Sequence, residues 1–264
     1  MKKDLPIGIF DSGIGGLTVA NAVKKILPNE SILYFGDTQH LPYGEKSVEA
    51  IQQFSKRITE FLIKKECKLI IIACNTASSV AYDIVKQTAQ GFPVINVIDP
   101  VVKYVATHCQ NCRIGVIGTK GTTNSQVYPK KLYLLNSKAE VTSLATPLLA
   151  PMIEEVFFND QLSQTIINSY LSNPQLMGID KLILACTHYP LIQEAIQKYY
   201  LGKVDIIDSA TQVAEAVKVL LEKEFLLSNQ EAEYQFFVSD YTDSFEKSAK
   251  IFFHEEIHLE EVKL

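Results

Sequence analysis

Short apolar runs rich in β-branched residues recur along the chain, and several are separated by stretches in which apolar residues fall at every third or fourth position. The short runs predict strands buried on both faces, because their length and composition are typical of covered sheets. The spacing of three and four predicts helices with one apolar face, as in residues 17–27 and 48–62. The predicted strands are 7–10, 32–35, 69–73, 94–97, 114–117, 182–185, 204–207 and 236–238.

The alternation of strands and helices predicts an α/β fold with mainly parallel sheets. Two pairs of segments are alike: residues 68–76 resemble 181–188, and residues 7–13 weakly resemble 114–121, in the same order. We interpret these pairs as two similar α/β domains that face each other across an active-site cleft. In open parallel sheets such sites lie beyond the carboxyl ends of the strands, so the residues that follow a strand carry most weight.

The chain after residue 208 has no counterpart in this internal likeness, and this sets the predicted domain boundaries. Its pattern predicts a helix at 210–225, then a strand, and a last helix near 244–253. We expect this segment to return to the first half. The first domain is therefore predicted to comprise residues 1–98 and 208–264, and the second domain residues 99–207.

Composition and charge argue against several classes of protein. The 264 residues are 47% hydrophobic and 21% charged, which is the balance of an ordinary globular domain. The net charge of −5 comes without a basic block, so we expect no nucleic-acid partner and no membrane-surface binding. No apolar run approaches the roughly 20 residues that span a bilayer, and no secretory signal precedes the first strand, so we predict a cytoplasmic protein.

Five cysteines are present, and in a reducing compartment we predict that all five are free thiols. Cys109 and Cys112 have the spacing of metal ligands, but no second Cys-x-x-Cys and no paired histidines accompany them. We therefore predict no metal site, and we interpret Cys67, Cys109 and Cys112 as incidental. His254 and His258, in the acidic tail, are predicted to be solvated.

Cys74 and Cys186 differ from the other cysteines, because each follows a predicted strand and precedes a predicted helix start. Positive potential at the start of a helix lowers the pKa of a thiol, so we expect both thiols to ionise readily. Either cysteine alone fits equally well as a small buried residue. Their matched positions favour a pair of reactive thiols.

A pair of similar acid–base groups suits the inversion of a stereocentre. One group removes a proton from one face of a carbon while the other delivers a proton to the opposite face, and the roles exchange in the reverse reaction. The α-proton of an amino acid is barely acidic, so such a site also needs close alignment and preformed donors for the developing charge. Two cysteines on facing halves therefore point to an amino-acid racemase.

Polar loops after several strands are candidates for holding carboxylates. Residues 11–16 form a glycine-rich loop without the spacing of a dinucleotide-binding motif or a P-loop, so a simple tight turn is the alternative. The loops at 42–44 and 118–123 also offer hydroxyls and backbone amides. His188 is placed to assist the second thiol, and a structural hydrogen-bonded histidine is the alternative there.

Four segments resemble signature motifs of the glutamate racemases, within the cofactor-independent aspartate/glutamate racemase family. Asp-Ser-Gly-Ile-Gly-Gly and the two cysteine motifs are highly specific in combination. The resemblance extends from about residue 6 to about residue 253. The segments are residues 10–19, residues 34–38 with 42–44, residues 73–78, and residues 184–190.

This resemblance implies an Asp/Glu racemase-like fold, with two α/β domains and the substrate in the cleft between them. It implies interconversion of L- and D-glutamate without pyridoxal phosphate or another cofactor. The product would supply D-glutamate for bacterial peptidoglycan, and hence for the cell wall and cell shape. Members of the family are commonly homodimers, so a homodimer is expected.

The resemblance also assigns roles to individual residues. Cys74 and Cys186 are expected to be the two acid–base groups, serving D-glutamate and L-glutamate respectively. The expected assistants are Asp11, His188 and a glutamate, for which Glu154 and Glu155 both qualify. The substrate contacts expected from the resemblance and the loop chemistry together are Asp11, Ser12, Pro42, Tyr43, Gly44, Asn75, Thr76, Thr119, Thr122, Thr187 and His188.

Two other functions fit parts of the pattern. A racemase for aspartate or another small amino acid would use the same pair of thiols. A non-catalytic module that binds an amino acid or a phosphate fits the glycine-rich loops, but it leaves the paired cysteines unexplained.

Overall fold

The computed structural model describes residues 2–109, 111–135, 138–155 and 161–264, and these residues contain ten strands in two sheets. Every pairing between these strands is parallel, which confirms the predicted fold class. The strands are β1 (Ile7–Asp11), β2 (Ile32–Gly36), β3 (Leu69–Ile72), β4 (Val94–Asn96), β5 (Arg113–Gly118), β6 (Glu140–Ala145), β7 (Lys181–Ala185), β8 (Asp205–Asp208), β9 (Tyr234–Val238) and β10 (Leu259–Glu261).

Four strands of the larger sheet have the same order as the four strands of the smaller sheet. The six-stranded sheet runs β10-β9-β2-β1-β3-β4, and the four-stranded sheet runs β6-β5-β7-β8. The order β2-β1-β3-β4 is thus repeated as β6-β5-β7-β8, so that β1 corresponds to β5 and β3 to β7. These are the strands formed by the segments that resemble each other in sequence, which supports the interpretation of two related halves.

Helices connect the strands. Those within the described ranges are α1 (Leu17–Ile26), α2 (Val48–Lys64), α3 (Asn75–Val80), α4 (Tyr82–Thr88), α5 (Ile98–His108), α6 (Lys120–Asn124), α7 (Val127–Leu134), α8 (Leu149–Glu154), α9 (Gln161–Leu171), α10 (Gln193–Tyr199), α11 (Ser209–Lys223) and α12 (Asp243–Phe253). The helices predicted from apolar spacing correspond to α1 and α2, and those predicted after residue 208 correspond to α11 and α12.

Two strands, β6 and β10, lie outside the predicted set, because neither has a continuous apolar run. Each is at the edge of its sheet. β6 has the mixed sequence Glu-Val-Thr-Ser-Leu-Ala and is partly exposed, and β10 buries only Leu259, which two exposed glutamates follow. Edge position alone is not the reason, because the edge strands β4 and β8 belong to the predicted set; β6 and β10 differ from them in having no pair of adjacent β-branched apolar residues.

The central strands place the carboxyl ends of both sheets at the candidate site. β1, β2 and β3 are buried along their whole length, and β5 and β7 are buried beyond their first residue. Asp11 is the last residue of β1, and Cys74 follows β3 by two positions. Thr119 and Cys186 follow β5 and β7 directly.

The C-terminal segment returns to the first sheet, as predicted. β9 pairs with β2, and β10 pairs with β9. α11 packs against α1 and α5, and α12 packs against α1. Strands up to Asn96 and from Tyr234 therefore form one sheet, and the strands between them form the other; the exact domain boundaries at residues 98 and 208 stay a prediction.

Two further predictions concern the histidines near the C-terminal end and the presence of membrane-spanning helices. His254 and His258 are exposed, as predicted for the acidic tail. Within the described ranges, no helix combines the length and the apolar character required to cross a bilayer.

Cys109 and Cys112 are joined by a disulfide, so the prediction of five free thiols is wrong for this pair. Both cysteines lie in the short link between α5 and β5, which holds their Cα atoms 5.7 Å apart, within the range that a disulfide spans. Cys67, Cys74 and Cys186 are free, as predicted, and all three are buried.

Candidate active site

A cavity of about 60 Å³ lies where the carboxyl ends of the two sheets meet. Its walls come from the loops after β1, β2, β3, β5 and β7, together with α8. Cys74 and Cys186 both line it, so the two strand-end thiols share one cavity. The lining residues are Ser12, Leu41, Pro42, Tyr43, Gly44, Cys74, Asn75, Thr76, Thr119, Ala150, Pro151, Glu154, Ala185, Cys186, Thr187 and His188.

Cys74 is buried at the N-cap position of α3. Its sulfur accepts a hydrogen bond from the backbone N–H of Ala77 at 3.4 Å and lies 3.6 Å from the hydroxyl oxygen of Ser12. Burial raises the pKa of Cys74 to about 12, and the nearby carboxylate of Asp11 adds to the rise, which these two hydrogen bonds only partly offset. The expectation of a lowered pKa at this helix start is therefore wrong for Cys74, because loss of solvent outweighs the positive end of the helix.

Cys186 is the first member of a chain of three polar groups. Its sulfur lies 3.5 Å from Nδ1 of His188, and Nε2 of His188 lies 2.8 Å from Oε1 of Glu154. Burial alone lowers the pKa of His188, but the sulfur of Cys186 and the carboxylate of Glu154 together outweigh burial and raise this pKa well above its usual value. The geometry fits an imidazolium that donates to both neighbours. Glu155 is exposed, so Glu154 is the glutamate that meets His188.

In the loop at residues 11–16, Gly15 is the glycine that packs against the other half of the molecule. A Cβ at Gly15 would lie 2.6 Å from Nδ1 of His188 and 2.7 Å from Oγ1 of Thr187. Only glycine therefore lets this loop pack so closely against the residues beside the second thiol. Ser12 is the one residue of the loop that lines the cavity.

Asp11 lies behind the cavity wall, next to Cys74. Its side chain is fully buried, and its Oδ2 accepts a hydrogen bond from the backbone N–H of Gly16 at 2.8 Å. Burial raises the pKa of Asp11, and the positive charge of His188 and the Gly16 hydrogen bond oppose this rise. Asp11 therefore places a carboxyl group beside the first thiol without lining the cavity itself.

The hydroxyl of Tyr43 donates its hydrogen bond within the protein. It donates to Oδ2 of Asp37 at 2.6 Å. The other oxygen of Asp37 accepts from the hydroxyl of Ser239 at 2.8 Å and lies 2.7 Å from Nδ1 of His40. Tyr43 and Gly44 thus form a fixed wall of the cavity, with ring and backbone as the available surfaces.

Comparisons with known proteins identify the family. A family model described as Asp/Glu/Hydantoin racemase matches residues 17–217. The glutamate racemase of Chlorobaculum parvum is 42% identical over 254 residues, covering 96% of this chain and 93% of that protein. The chain belongs to the Asp/Glu/Hydantoin racemase family. It is therefore an isomerase, as the two cysteine motifs predict, and the family argues against a non-catalytic binding module.

Solved structures agree with the racemase family and with the fold. The crystal structure of glutamate racemase from Francisella tularensis in complex with D-glutamate has a TM-score of 0.92 and 41% identity, covering 99% of this chain and 98% of that one. A glutamate racemase isoform from Bacillus anthracis has a TM-score of 0.93 and 36% identity, with the same two coverages of 99% and 98%. Both confirm the two α/β halves predicted from the sequence.

Three threonines from both halves of the racemase form a cluster of hydroxyls at one wall of the cavity. Oγ1 of Thr76 lies 2.9 Å from Oγ1 of Thr119 and 3.4 Å from Oγ1 of Thr122. The backbone N–H of Thr122 donates to Oγ1 of Thr119 at 3.2 Å. Thr76 and Thr119 line the cavity, whereas Thr122 lies behind them and supports their positions.

All but two of the predicted site residues line the cavity of the racemase, the exceptions being Asp11 and Thr122. The lining residues absent from the prediction are apolar, and an apolar side chain carries no chemical signal in the sequence; they are Leu41, Ala150, Pro151 and Ala185. Supporting residues such as Asp37 and Ser239 were missed as well, because their role depends on contacts between distant parts of the chain.

Proposed function

We propose that this racemase interconverts L- and D-glutamate by proton transfer between the α-carbon and two thiols. The observation that carries the proposal is that Cys74 and Cys186 follow corresponding strands of the two halves and line one cavity. Two similar groups on either side of a bound carbon are what a reversible inversion requires.

In the direction from L-glutamate, Cys186 acts as the base. The Cα–H bond breaks, the proton goes to the sulfur of Cys186, and the electron pair stays on the α-carbon. The S–H bond of Cys74 then breaks, its electron pair stays on sulfur, and its proton forms the new Cα–H bond on the opposite face. The reverse reaction exchanges the two roles.

The surroundings of the two thiols suit these starting states. A protonated His188 beside Cys186 stabilises a thiolate there, and Glu154 supports the charge on His188. Burial and Asp11 keep Cys74 as a thiol, the form that delivers a proton. We propose Asp11, His188 and Glu154 as the groups that assist the two thiols.

The cavity wall offers neutral donors for the two carboxylates of glutamate. We propose that Ser12, Asn75, Thr76 and Thr119 donate through side chains, and that Tyr43, Gly44, Thr187 and their neighbours complete the binding site. Preformed donors also stabilise the charge that develops on the α-carboxylate when the proton leaves. No proton transfer in this scheme requires a cofactor.

Glutamate is favoured over aspartate because the similar proteins named above are glutamate racemases. A racemase for aspartate or another small amino acid is the second candidate. A panel of L- and D-amino acids followed by circular dichroism decides between them, and faster racemisation of aspartate than of glutamate would reject glutamate as the substrate.

Cysteine variants test the two-thiol mechanism. We expect Cys74→Ala and Cys186→Ala each to lower racemisation in both directions by about a thousandfold or more, because each removes one of the two groups the reaction needs. Cys67→Ala is the matched control, since Cys67 is a free buried cysteine outside the cavity. α-Hydrogen exchange into deuterated water and racemisation should be measured together. Racemisation retained in the double variant would reject the mechanism.

We further propose that the enzyme is a cytoplasmic homodimer that supplies D-glutamate for peptidoglycan. Rescue of a bacterial strain that requires D-glutamate for growth tests the physiological role. Sedimentation analysis tests the oligomeric state, and a monomer at micromolar concentration would reject the homodimer.

A further inference from the structure

The buried hydroxyl of Tyr128 reaches across the two halves to a residue of the cavity wall. Tyr128 lies in α7, which follows β5 of the four-stranded sheet, and its side chain is 1% exposed. Its hydroxyl donates to Oδ1 of Asn75 at 2.8 Å. Asn75 is the first residue of α3, directly after Cys74, and lines the cavity.

The amide nitrogen of Asn75 is left without a hydrogen-bond partner among the described residues, although Asn75 is only 2% exposed. A buried N–H group without a partner is costly, so such a group at a cavity wall indicates a ligand that accepts a hydrogen bond. The neighbouring hydroxyl of Thr76 extends the same donor surface.

The hydrogen bond from Tyr128 decides which end of the amide is available to a ligand. Burial raises the pKa of Tyr128, so the phenol keeps its proton and remains a donor. If the amide were flipped, its nitrogen would face Tyr128, and the hydroxyl hydrogen would lose its acceptor. The hydroxyl of Tyr128 has no other hydrogen-bond partner in the described part of the chain, so the flipped state leaves a buried donor unsatisfied.

We propose that Tyr128 is a positioning residue that fixes the side-chain amide of Asn75 with its N–H₂ group toward the cavity, where it binds a carboxylate of the substrate. This inference rests on the proposed amino-acid substrate. In this arrangement a residue of the second half, Tyr128, orients a hydrogen-bond donor of the first half, the amide of Asn75. The sequence contains no motif that signals this role, since Tyr128 lies outside every predicted site segment.

The variant Tyr128→Phe tests the proposal, because it removes only the hydroxyl and keeps the buried ring. With the amide free to flip, we expect KM to rise about tenfold for both enantiomers and kcat to change less than KM, because the amide binds a carboxylate that is present in the ground state as well as in the transition state. Titration calorimetry with D-glutamate should show a matching loss of affinity. Tyr133→Phe is the matched control, since Tyr133 is 80% exposed.

A double-mutant cycle with Asn75→Ala separates positioning from general damage. If Tyr128 acts through Asn75, Tyr128→Phe has no further effect on KM in the Asn75→Ala background. An unchanged KM in the single variant, or an equal rise in both backgrounds, would overturn the proposal. The cycle uses whichever amino acid the wild-type enzyme racemises. The substrate assignment is therefore tested by the wild-type enzyme alone, and the role of Tyr128 is tested by the variants.

Discussion

His188 bridges Glu154 and Cys186: its Nε2 lies 2.8 Å from Oε1 of Glu154, and its Nδ1 lies 3.5 Å from the sulfur of Cys186. The imidazole thus links the carboxylate to the thiol. Because Glu154 is one cause of the raised pKa of His188, a neutral amide at this position lowers that pKa. The protonated imidazole is present below the pKa of His188, so in Glu154→Gln it is lost at a lower pH than in wild type.

We therefore expect the basic limb of the pH profile of kcat/KM to move to lower pH in Glu154→Gln. At a pH between the basic limb of Glu154→Gln and that of wild type, kcat/KM of the variant should be about tenfold lower than that of wild type. This is a modest share of the effect of a general acid–base group. Profiles of both enantiomers measure this. Glu155→Gln is the control, because Glu155 is exposed beside it. Superimposable profiles for wild type and Glu154→Gln would contradict the prediction.

Gly15 leaves the space that the imidazole of His188 occupies. A Cβ at Gly15 would lie 2.6 Å from Nδ1 of His188, so Gly15→Ala must displace the ring from the thiol of Cys186. A displacement of about 1 Å at an active site costs on the order of 100-fold in rate, and we expect a loss of this size in kcat/KM. The melting temperature should be measured beside it.

Gly13→Ala is the matched control for Gly15→Ala in the same loop. Its added Cβ would meet the end of the flexible Leu41 side chain at 2.9 Å, and this side chain can move aside. We expect a smaller loss of activity than in Gly15→Ala. Equal activities of the two variants would show that contact with His188 is not what requires glycine at position 15.

The core strands were predictable because burial on both faces leaves a continuous apolar run. β1, β3 and β7 are such strands, and they carry the loops of the site. β6 and β10 were not predictable in this way, because both strands are partly accessible to solvent and neither has a continuous apolar run. The parts of the fold that position the chemistry are therefore also the parts that the sequence pattern reveals best.

The two thiols were predictable because Cys74 and Cys186 occupy the same place in two similar segments. Their supports were not: Ser239 meets Asp37 across 202 positions of the chain, and no local pattern signals such a contact. The pKa of Cys74 shows the same limit, since a helix start is visible in the sequence but the burial that outweighs it is not.

The charge of Asp11 is expected to control the acidity of Cys74. After burial, this carboxylate is the main cause of the raised pKa of Cys74, so the isosteric variant Asp11→Asn should lower that pKa from about 12. The amide oxygen can still accept the hydrogen bond from Gly16. Alkylation of Cys74 at several pH values, followed by mass spectrometry, measures the change.

Asp83→Asn serves as the control, because Asp83 is exposed on α4. Alkylation of Cys74 should accelerate at neutral pH in Asp11→Asn and should not change in Asp83→Asn. An unchanged rate in Asp11→Asn would mean that the charge of Asp11 does not contribute to the raised pKa of Cys74.

Removing one partner of the buried ion pair between Lys68 and Glu30 is expected to destabilise the protein strongly. Both side chains are almost inaccessible, at 0% and 2% exposure. Lys68 also donates to the carbonyl of Leu226 at 2.9 Å, and Glu30 accepts from the backbone N–H of Ser228 at 2.8 Å. Lys68→Met leaves the carboxylate buried without its counter-ion, which should lower the free energy of unfolding by about 3–5 kcal/mol.

The double variant Lys68→Met/Glu30→Gln distinguishes an unpaired charge from poor packing. The amide oxygen of Gln at position 30 still accepts the hydrogen bond from Ser228 but carries no charge. We therefore expect the double variant to have a higher free energy of unfolding in urea than Lys68→Met. Lys250→Met, in an exposed pair with Glu256, should cost less than about 1 kcal/mol because solvent screens the pair. If the double variant were no more stable than Lys68→Met, the loss would come from the volume and hydrogen bonds of Lys68, and the buried charge of Glu30 would not be its cause.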